Sequence, residues 1–377
     1  MKPYYTILLD SFRMLKSTAI FWVTLGISLL VALIYLSIGF DEKGMSLFFG
    51  LAPIENDLFR KGTPQSETLY VAIFTKLIAD YWLSWIAVLM ALISCASIFP
   101  EALQEGSAGM VLTKKPSRLK VFLAKFAGSL LFVTIQVVLF VAIVFVALKW
   151  RVGSWNPSIF WYVPLILLVF TYLYSFMVLV AVKTRSVMTA LILTLVLWAV
   201  SSFVGWVEGQ MYQGIQMMEM FEDRENEKER EVDVVKEEAL AEDEDEDEDE
   251  ILDEEVPEEE LTEVVIERRG PGGDSGNGTM KIWHQRLVAA YAIFPKTGRT
   301  MEVADRLIVV NGEKGGNKGS FMSILLGMDE DEQDNEFVIV SEKAADRHST
   351  GYAIGTSVAF AFIMLSLAAW IFCRKEV

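Results

Sequence analysis

Six apolar stretches, each about as long as a membrane-spanning helix, alternate with polar segments along the chain. Because a helix needs about 20 apolar residues to cross a bilayer, this pattern predicts an all-α membrane protein with about six transmembrane helices. The stretches cover residues 19–40, 77–99, 121–148, 159–182, 187–207 and 352–373. An even number of spans places both termini on the same side of the membrane.

The polar segments predict how the first spans are joined. Residues 2–16 have an apolar stripe at helical spacing with charged residues away from it, which predicts an interfacial helix before the first span. Residues 41–76 contain several glycines and prolines, so a loop outside the bilayer is expected there. We expect Pro100 to end the second span at Phe99, because proline disrupts a continuing helix.

The distribution of lysine and arginine predicts the orientation. The termini and the segments around residues 114–125 and 183–185 are more basic than the short segments on the opposite face. Loops that stay in the cytoplasm carry an excess of these residues. Both termini are therefore expected to be cytoplasmic, in a multi-pass protein of the cell (inner) membrane.

With this orientation the chain divides into three regions. Residues 1–207 hold the N-terminal interfacial helix and the first five transmembrane helices. Residues 208–351 form a large external insertion between the fifth and sixth spans, and residues 352–377 hold the last transmembrane helix and a cytoplasmic tail.

The external segment is itself heterogeneous. Residues 208–241 are predicted to extend the fifth span as an exposed helix. Residues 242–263 form an acidic tract with too little apolar surface to order itself, so it is predicted to be disordered. Apolar residues at helical spacing predict amphipathic, membrane-surface helices over residues 280–309.

Composition supports the membrane class and explains the charge. The 377 residues are 53% apolar and 12% aromatic, which is unlike an ordinary soluble domain. The formal net charge is −17. Residues 222–263 alone contribute about −21, so the rest of the chain is slightly basic.

The polar segment between the second and third spans, residues 98–125, carries the most specific motif. It has an acidic residue, a Glu before Gly-Ser, several apolar positions, Lys-Pro-Ser-Arg, and a Lys near the start of the next span. These residues are Glu101, Glu105, Gly106, Ser107, Lys115, Pro116, Ser117, Arg118 and Lys125. The segment resembles the cytoplasmic loop between the second and third spans of type-two ABC transporter permeases. That pattern has one further residue between the Pro and the Ser.

The resemblance covers the whole span layout, whereas the acidic tract is peculiar to this chain. It implies the permease subunit of an ABC exporter that works by alternating access, with loop 100–120 coupling it to an ATPase. No nucleotide-binding motif is present, so the ATPase is expected on a separate chain. The implied partners are that ATPase subunit, a second permease in a homodimer or heterodimer, and membrane lipids. No cofactor, metal site, catalytic residue or nucleic-acid partner is expected.

Two other classes of function remain open at this stage. The chain could be a membrane-anchored binding or scaffold protein whose acidic external segment captures basic partners. An intramembrane enzyme is the least favoured, because the spans between residues 121 and 207 hold few polar side chains. For Asp80, four residues after Lys76, an interfacial ion pair is favoured over a substrate or proton role. The two histidines, His284 and His348, are expected to be surface residues.

Overall fold

The computed structural model describes residues 19–42, 44–55, 59–102, 118–243, 275–310, 313–314 and 349–374. Among these residues, five helices are long enough and apolar enough to cross a membrane. They are Pro64–Glu101, Arg118–Arg151, Pro157–Thr184, Val187–Lys228 and Thr350–Arg374. The chain is thus a largely helical, membrane-associated protein. A further apolar helix, Phe21–Ser37, is shorter, so the predicted count of six spans stays a prediction.

The described elements follow the chain in a simple order. The helices are α1 Ala19–Ser37, α2 Pro64–Ala72, a π-helix Ile73–Ala87, α3 Val88–Cys95, α4 Ile98–Ala102, α5 Arg118–Arg151, α6 Tyr162–Thr184, α7 Val187–Asp243, α8 Ser275–Tyr291, α9 Thr297–Leu307 and α10 Thr350–Arg374. The strands are β1 Gly39–Asp41, β2 Gly44–Leu47, β3 Ala52–Glu55, β4 Val309–Val310 and β5 Glu313–Lys314. Short 3-10 turns occupy Phe48–Gly50 and Pro157–Trp161.

The segment predicted as a loop over residues 41–76 is instead largely structured. Strands β1, β2 and β3 form an antiparallel sheet in which Phe40 pairs with Met45 and Met45 pairs with Ile54. The prediction failed because strands of three or four residues are too short to show an alternating pattern. We call the end of the helix bundle that carries this sheet the sheet end.

The second apolar helix begins earlier than its apolar run does. Thr63 caps it, since the side-chain oxygen of Thr63 accepts a hydrogen bond from the backbone N–H of Ser66 at 3.3 Å. Pro64 occupies the first turn, where its fixed φ favours a helix and its missing N–H costs nothing.

The predicted end of this helix at Phe99 is wrong. Pro100 lies inside α4 rather than after the helix, and the backbone N–H of Glu101 donates to the carbonyl oxygen of Ser97 at 3.0 Å. The missing N–H of Pro100 is tolerated because it falls in the first turn of α4, where backbone donors have no partner within the helix.

Helix α6 forms the centre of the bundle and packs against α10, α7, α5 and α9. Its Tyr174 is fully buried, and the hydroxyl groups of Tyr174 and Ser129 of α5 are 2.7 Å apart. At the sheet end, Tyr35 of α1 stacks on Tyr70 of α2 with ring centroids 4.3 Å apart, and each hydroxyl donates to the other's backbone carbonyl. These polar side chains are paired within an apolar core, which limits the cost of burying them.

The opposite end of the bundle brings together the starts and ends of three apolar helices. The rings of Phe99, Phe122 and Phe372 contact one another, with centroids 5.1 to 6.5 Å apart. Glu101, Arg118 and Arg374 lie next to these rings in sequence, and we call this the loop end.

Helix α7 runs from the loop end to the sheet end and continues well beyond its apolar part, as predicted for residues 208–241. Helix α8 packs against this extension, and α9 packs against α6, α7 and α10. These two helices occupy the region where two amphipathic helices are predicted over residues 280–309. The acidic tract at residues 242–263 lies outside the described residues from position 244 onward.

Candidate functional site

A cavity of about 540 Å³ lies in the sheet-end half of the bundle, between the π-helix, α7 and α9. Its volume falls within the range of about 300 to 1,000 Å³ typical of small-molecule sites. Its lining combines charged, amide, hydroxyl, aromatic and glycine residues. These are Lys76, Asp80, Ser84, Trp85, Val169, Trp198, Ser202, Gly205, Trp206, Gly209, Gln210, Gln213, Tyr291, Thr297, Gly298, Arg299, Met301 and Glu302.

A buried ion network lies behind one wall of this cavity, where its members Arg299 and Glu302 contribute to the lining. The side chain of Glu208 on α7 is 0% exposed, and its carboxylate accepts a hydrogen bond from the Arg299 guanidinium at 3.0 Å. Arg299, only 9% exposed, also donates to Glu302 at 2.8 Å. His284 Nε2 lies 3.3 Å from the other carboxylate oxygen of Glu208. The network therefore fastens α7 to both α8 and α9.

Two of these side chains were predicted to lie elsewhere. The sequence predicts Glu208 on an exposed helix, but Glu208 is buried because α8 and α9 cover the base of that helix. His284 was expected at the surface, but its side chain is only 15% exposed because it packs against Glu208. His348 lies outside the described residues.

Aromatic side chains form a second part of the lining. Trp85 of the π-helix stacks on Trp198 of α7, with centroids 4.8 Å apart and ring planes 17° apart. Trp206 of α7 is exposed, whereas Tyr291 at the end of α8 is buried. A Cβ at Gly205 would lie 2.5 Å from the hydroxyl oxygen of Tyr291, so only glycine allows this approach.

Lys296, in the turn between α8 and α9, holds that turn against α10. Its side chain is buried with 1% exposure, and its ammonium donates to the hydroxyl of Thr356 at 2.9 Å. The same ammonium lies over the rings of Tyr291 and Tyr352, 5.1 and 4.9 Å from their centroids. Burial lowers the pKa of Lys296 to about 8, although the Glu208 carboxylate acts in the opposite direction.

The facing wall comes from the π-helix. Lys76 and Asp80, considered above as an interfacial ion pair, are both half-buried and line the cavity. Ser84 lies one turn further on and donates to the carbonyl of Ala79 at 2.8 Å, a spacing of five residues that is typical of π-helical geometry. π-Helical turns are rare, and those that are found are frequently at functional sites. In this wall the π-helical geometry coincides with the polar residues that line the cavity.

Three of the predicted coupling residues, Glu101, Arg118 and Lys125, belong to the described part of the chain. Glu105, Gly106, Ser107, Lys115, Pro116 and Ser117 lie outside the described residues. Glu101 is exposed at the loop end, and Lys125 is half-buried on α5. Arg118 donates to the carbonyl oxygen of Cys373 at 3.4 Å, which ties the start of α5 to the end of α10. The coupling role of these residues stays a prediction.

The described residues contain no group of three or more His, Cys, Asp or Glu side chains that could hold a metal ion. The side chains that line the cavity offer hydrogen-bonding groups, ionised groups and aromatic surfaces.

Sequence reasoning missed the central pair of the site. Glu208 follows Trp206 at the end of an apolar run, and an acidic residue at such a position is a usable signal. Arg299 lies 91 residues further along the chain. No local pattern pairs residues at that distance.

Comparison with known protein families gives a match to part of the chain. The model of a family described as "Protein of unknown function (DUF2705)" matches residues 28–222, just over half of the chain. This region includes the π-helix and most of the cavity wall formed by α7. No curated protein and no solved structure matches the chain. The chain belongs to the DUF2705 family.

Proposed function

We propose that this chain is the permease subunit of an ABC exporter, driven by a separate ATPase chain that binds loop 100–120. One observation carries the proposal beyond the motif itself. The helix Pro64–Glu101 lines the cavity at one end, with Lys76 and Asp80, and enters the predicted coupling loop at the other, with Glu101. Consecutive helical segments, from the π-helix through α3 to α4, therefore connect the candidate substrate site to the candidate ATPase contact.

The length of this helix suits transmission of movement. Asp80 and Glu101 are 21 residues apart, which corresponds to roughly 30 Å along a helix. A push on the loop would tilt the helix and displace the cavity wall, as in rigid-body switching. The hydrogen bond from Arg118 to Cys373 adds α10 to the elements that such a push would reach.

The proposal includes an orientation and partners. The loop end and both termini face the cytoplasm, so the sheet end and the cavity face outward. The chain pairs with a second permease, in a homodimer or a heterodimer, within the cell membrane. ATP hydrolysis takes place on the partner, and this chain contributes binding and movement.

Capture of the ATPase from native membranes tests the proposal. The full-length chain is purified in a mild detergent, and co-purifying proteins are identified by mass spectrometry. We expect a chain with nucleotide-binding motifs to accompany the wild type. Since truncating a partly desolvated interface charge costs about 2 to 5 kcal/mol, Glu105→Lys should weaken ATPase binding by about 30-fold or more.

Matched variants make this experiment specific. Gly106→Val should act like Glu105→Lys, or leave the ATPase bound while the wild-type chain's effect on its ATP hydrolysis is lost. Glu42→Lys, at an exposed position of the sheet end, should behave like the wild type. If no ATPase is captured, or if both loop variants retain it and still alter its hydrolysis as the wild type does, the proposal is wrong.

A further inference from the structure

The two turns of the three-stranded sheet have opposite character. Strand β1 begins soon after α1 ends, so the start of β1 lies next to the end of that helix. Because β2 pairs antiparallel with both β1 and β3, the turn between β2 and β3 lies on the same side of the sheet as the end of α1. This turn consists of residues 48–51, and we call it the apolar tip. The turn between β1 and β2, on the far side, carries the exposed carboxylates of Asp41 and Glu42.

The apolar tip keeps its large side chains out of the protein core. Phe48 and Phe49 are both exposed, and Leu51, at 86% exposure, is the most exposed large apolar side chain in the part of the chain that the structure describes. The backbone φ angles of Phe48 and Phe49 are 50° and 59°, in the left-handed region that bulky residues rarely adopt. Strained backbone of this kind clusters at functional and binding sites. Both the exposure and the strain of the tip therefore call for a binding partner.

Contacts with Arg151 fix the level of the apolar tip relative to the helices. Arg151 is the last residue of α5, and its Nε donates to the carbonyl oxygen of Leu36, near the end of α1, at 2.7 Å. Its guanidinium carbon lies 5.1 Å from the ring centroid of Phe49 and 5.4 Å from that of Trp150. The 3-10 turn Phe48–Gly50 also packs against α1. The tip therefore lies level with the ends of two apolar helices.

Exposed aromatic residues mark this level as a membrane–water interface. Trp150 lies at the end of α5, and Trp155 and Trp161 lie between α5 and α6; all three are exposed. Tryptophan is enriched where the apolar interior of a bilayer meets its headgroups. On α1, the exposed side chains that precede this level include Leu30 and Ile34. The tip thus continues the apolar, exposed surface of α1 up to the level of the headgroups.

We propose that the apolar tip inserts into the membrane leaflet that surrounds the sheet end. Its large side chains pack among lipid chains close to the headgroups, where burial of apolar surface is favourable, and the turn with Asp41 and Glu42 stays in water. The insertion fixes the depth of α1, whose 19 residues are near the lower limit for a span. It applies to either side of the membrane, so it depends on neither the orientation nor the transporter function proposed above.

Spin labels in lipid nanodiscs test this insertion. The full-length chain, in a cysteine-free background, carries one spin-labelled cysteine from Leu51→Cys, Glu42→Cys or Phe362→Cys, in nanodiscs of phosphatidylethanolamine and phosphatidylglycerol. Power-saturation EPR measures the access of each label to oxygen, which concentrates in lipid, and to a nickel chelate, which stays in water. Phe362, exposed on α10, is the lipid standard, and Glu42 is the water standard. We expect the label at Leu51 to favour oxygen, at a depth of about 5 to 10 Å below the headgroup boundary.

A further variant tests whether the phenylalanine rings hold the tip in the leaflet. With Phe48→Ser and Phe49→Ser together, the label at Leu51 should move toward water, while the label at Phe362 should stay in lipid. Trp370→Ser, which removes an exposed aromatic ring at the loop end, should leave the depth at Leu51 unchanged. Three results would overturn the proposal: nickel access at Leu51 equal to that at Glu42, exclusion of both reagents from Leu51 because protein covers the tip, or an unchanged depth in the two-serine variant.

Discussion

Glu208 and Arg299 form a buried ion pair. We expect the loss of Arg299 to lower the free energy of unfolding by more than the loss of the Glu208 charge does. Replacing Arg299 with Met removes the guanidinium that lies 3.0 Å from a carboxylate with 0% exposure. His284, whose Nε2 lies 3.3 Å from the carboxylate of Glu208, carries no fixed positive charge to replace that guanidinium. Because breaking a buried ion pair leaves an uncompensated charge, we expect Arg299→Met to lower the free energy of unfolding by about 3 to 5 kcal/mol.

Replacing Glu208 should lower the free energy of unfolding by less than replacing Arg299, because Arg299 has a second carboxylate partner. In Glu208→Gln the guanidinium of Arg299 keeps Glu302, which lies 2.8 Å away and is partly exposed to solvent. The loss is then close to that of one hydrogen bond to a charged group, about 1 to 3 kcal/mol. Removing both charges together, in Glu208→Leu with Arg299→Met, should recover much of the loss seen in Arg299→Met alone.

Denaturant unfolding in detergent, followed by tryptophan fluorescence, measures these differences from the transition midpoints at constant slope. Lys281→Met provides the control, because Lys281 and Glu219 form an exposed ion pair, 2.8 Å long, between the same two helices α7 and α8. Its midpoint should match that of the wild type. If Arg299→Met and Glu208→Gln shift the midpoint equally, or if the double variant is less stable than either single variant, the reasoning about the buried charge is wrong.

Three further predictions concern orientation, the acidic tract and pH. In a cysteine-free background, single cysteines at Ser117 and Ser275 should be labelled from opposite sides of the membrane, and labelling of both by an impermeant reagent from outside would refute the orientation. Deletion of residues 242–260 should leave insertion and thermal stability unchanged, since an acidic low-complexity tract buries little apolar surface; loss of folded protein would contradict this. Because the folded pKa of Lys296, about 8, lies below its ordinary value, the unfolded chain binds more protons above pH 8, and stability should rise with pH. Relative to Lys296→Met, the gain between about pH 7 and about pH 9.5 should be about 2 kcal/mol, and a flat difference would exclude the effect.

The long helices were predictable because each one shows its own signal. An apolar run of span length specifies a helix wherever the chain must satisfy its backbone hydrogen bonds without water. The extension of α7 was also predictable, since residues 208–241 contain no proline or glycine signal strong enough to end a helix. The residues at which the helices begin and end were harder to predict from the sequence. The early start at Pro64 follows from a capping pattern formed by Thr63, Pro64 and Glu67. The mixed composition of the surrounding residues obscures this pattern in the sequence.

The candidate site was only partly predictable, for a different reason. Asp80 stands out in an apolar run, so its functional potential is visible from the sequence. The residues that give the cavity its character come from distant parts of the chain, since Trp198 lies on α7 and Arg299 and Glu302 lie on α9. Their approach depends on how α8 and α9 fold back onto α7 and α10. Hydrophobic periodicity specifies which face of each helix is buried but does not specify which helix covers it.

The contacts around the cavity indicate which wall can move if the chain works by alternating access. Helix α9 is fastened to α7 by Glu208 and Arg299, and the turn before it is fastened to α10, where the backbone N–H of Lys296 donates to Ser357 at 2.9 Å. Separating these elements would expose buried charges, so they are expected to move together. The π-helix forms the facing wall and also packs against α9, and its hydrogen bonds are of a rarer kind than those of an α-helix. It is also the wall that leads directly to Glu101 at the loop end. Movement driven from that end is therefore expected to shift the π-helix relative to the unit of α7, α9 and α10, which would change the distance between Asp80 and the aromatic and acidic side chains across the cavity.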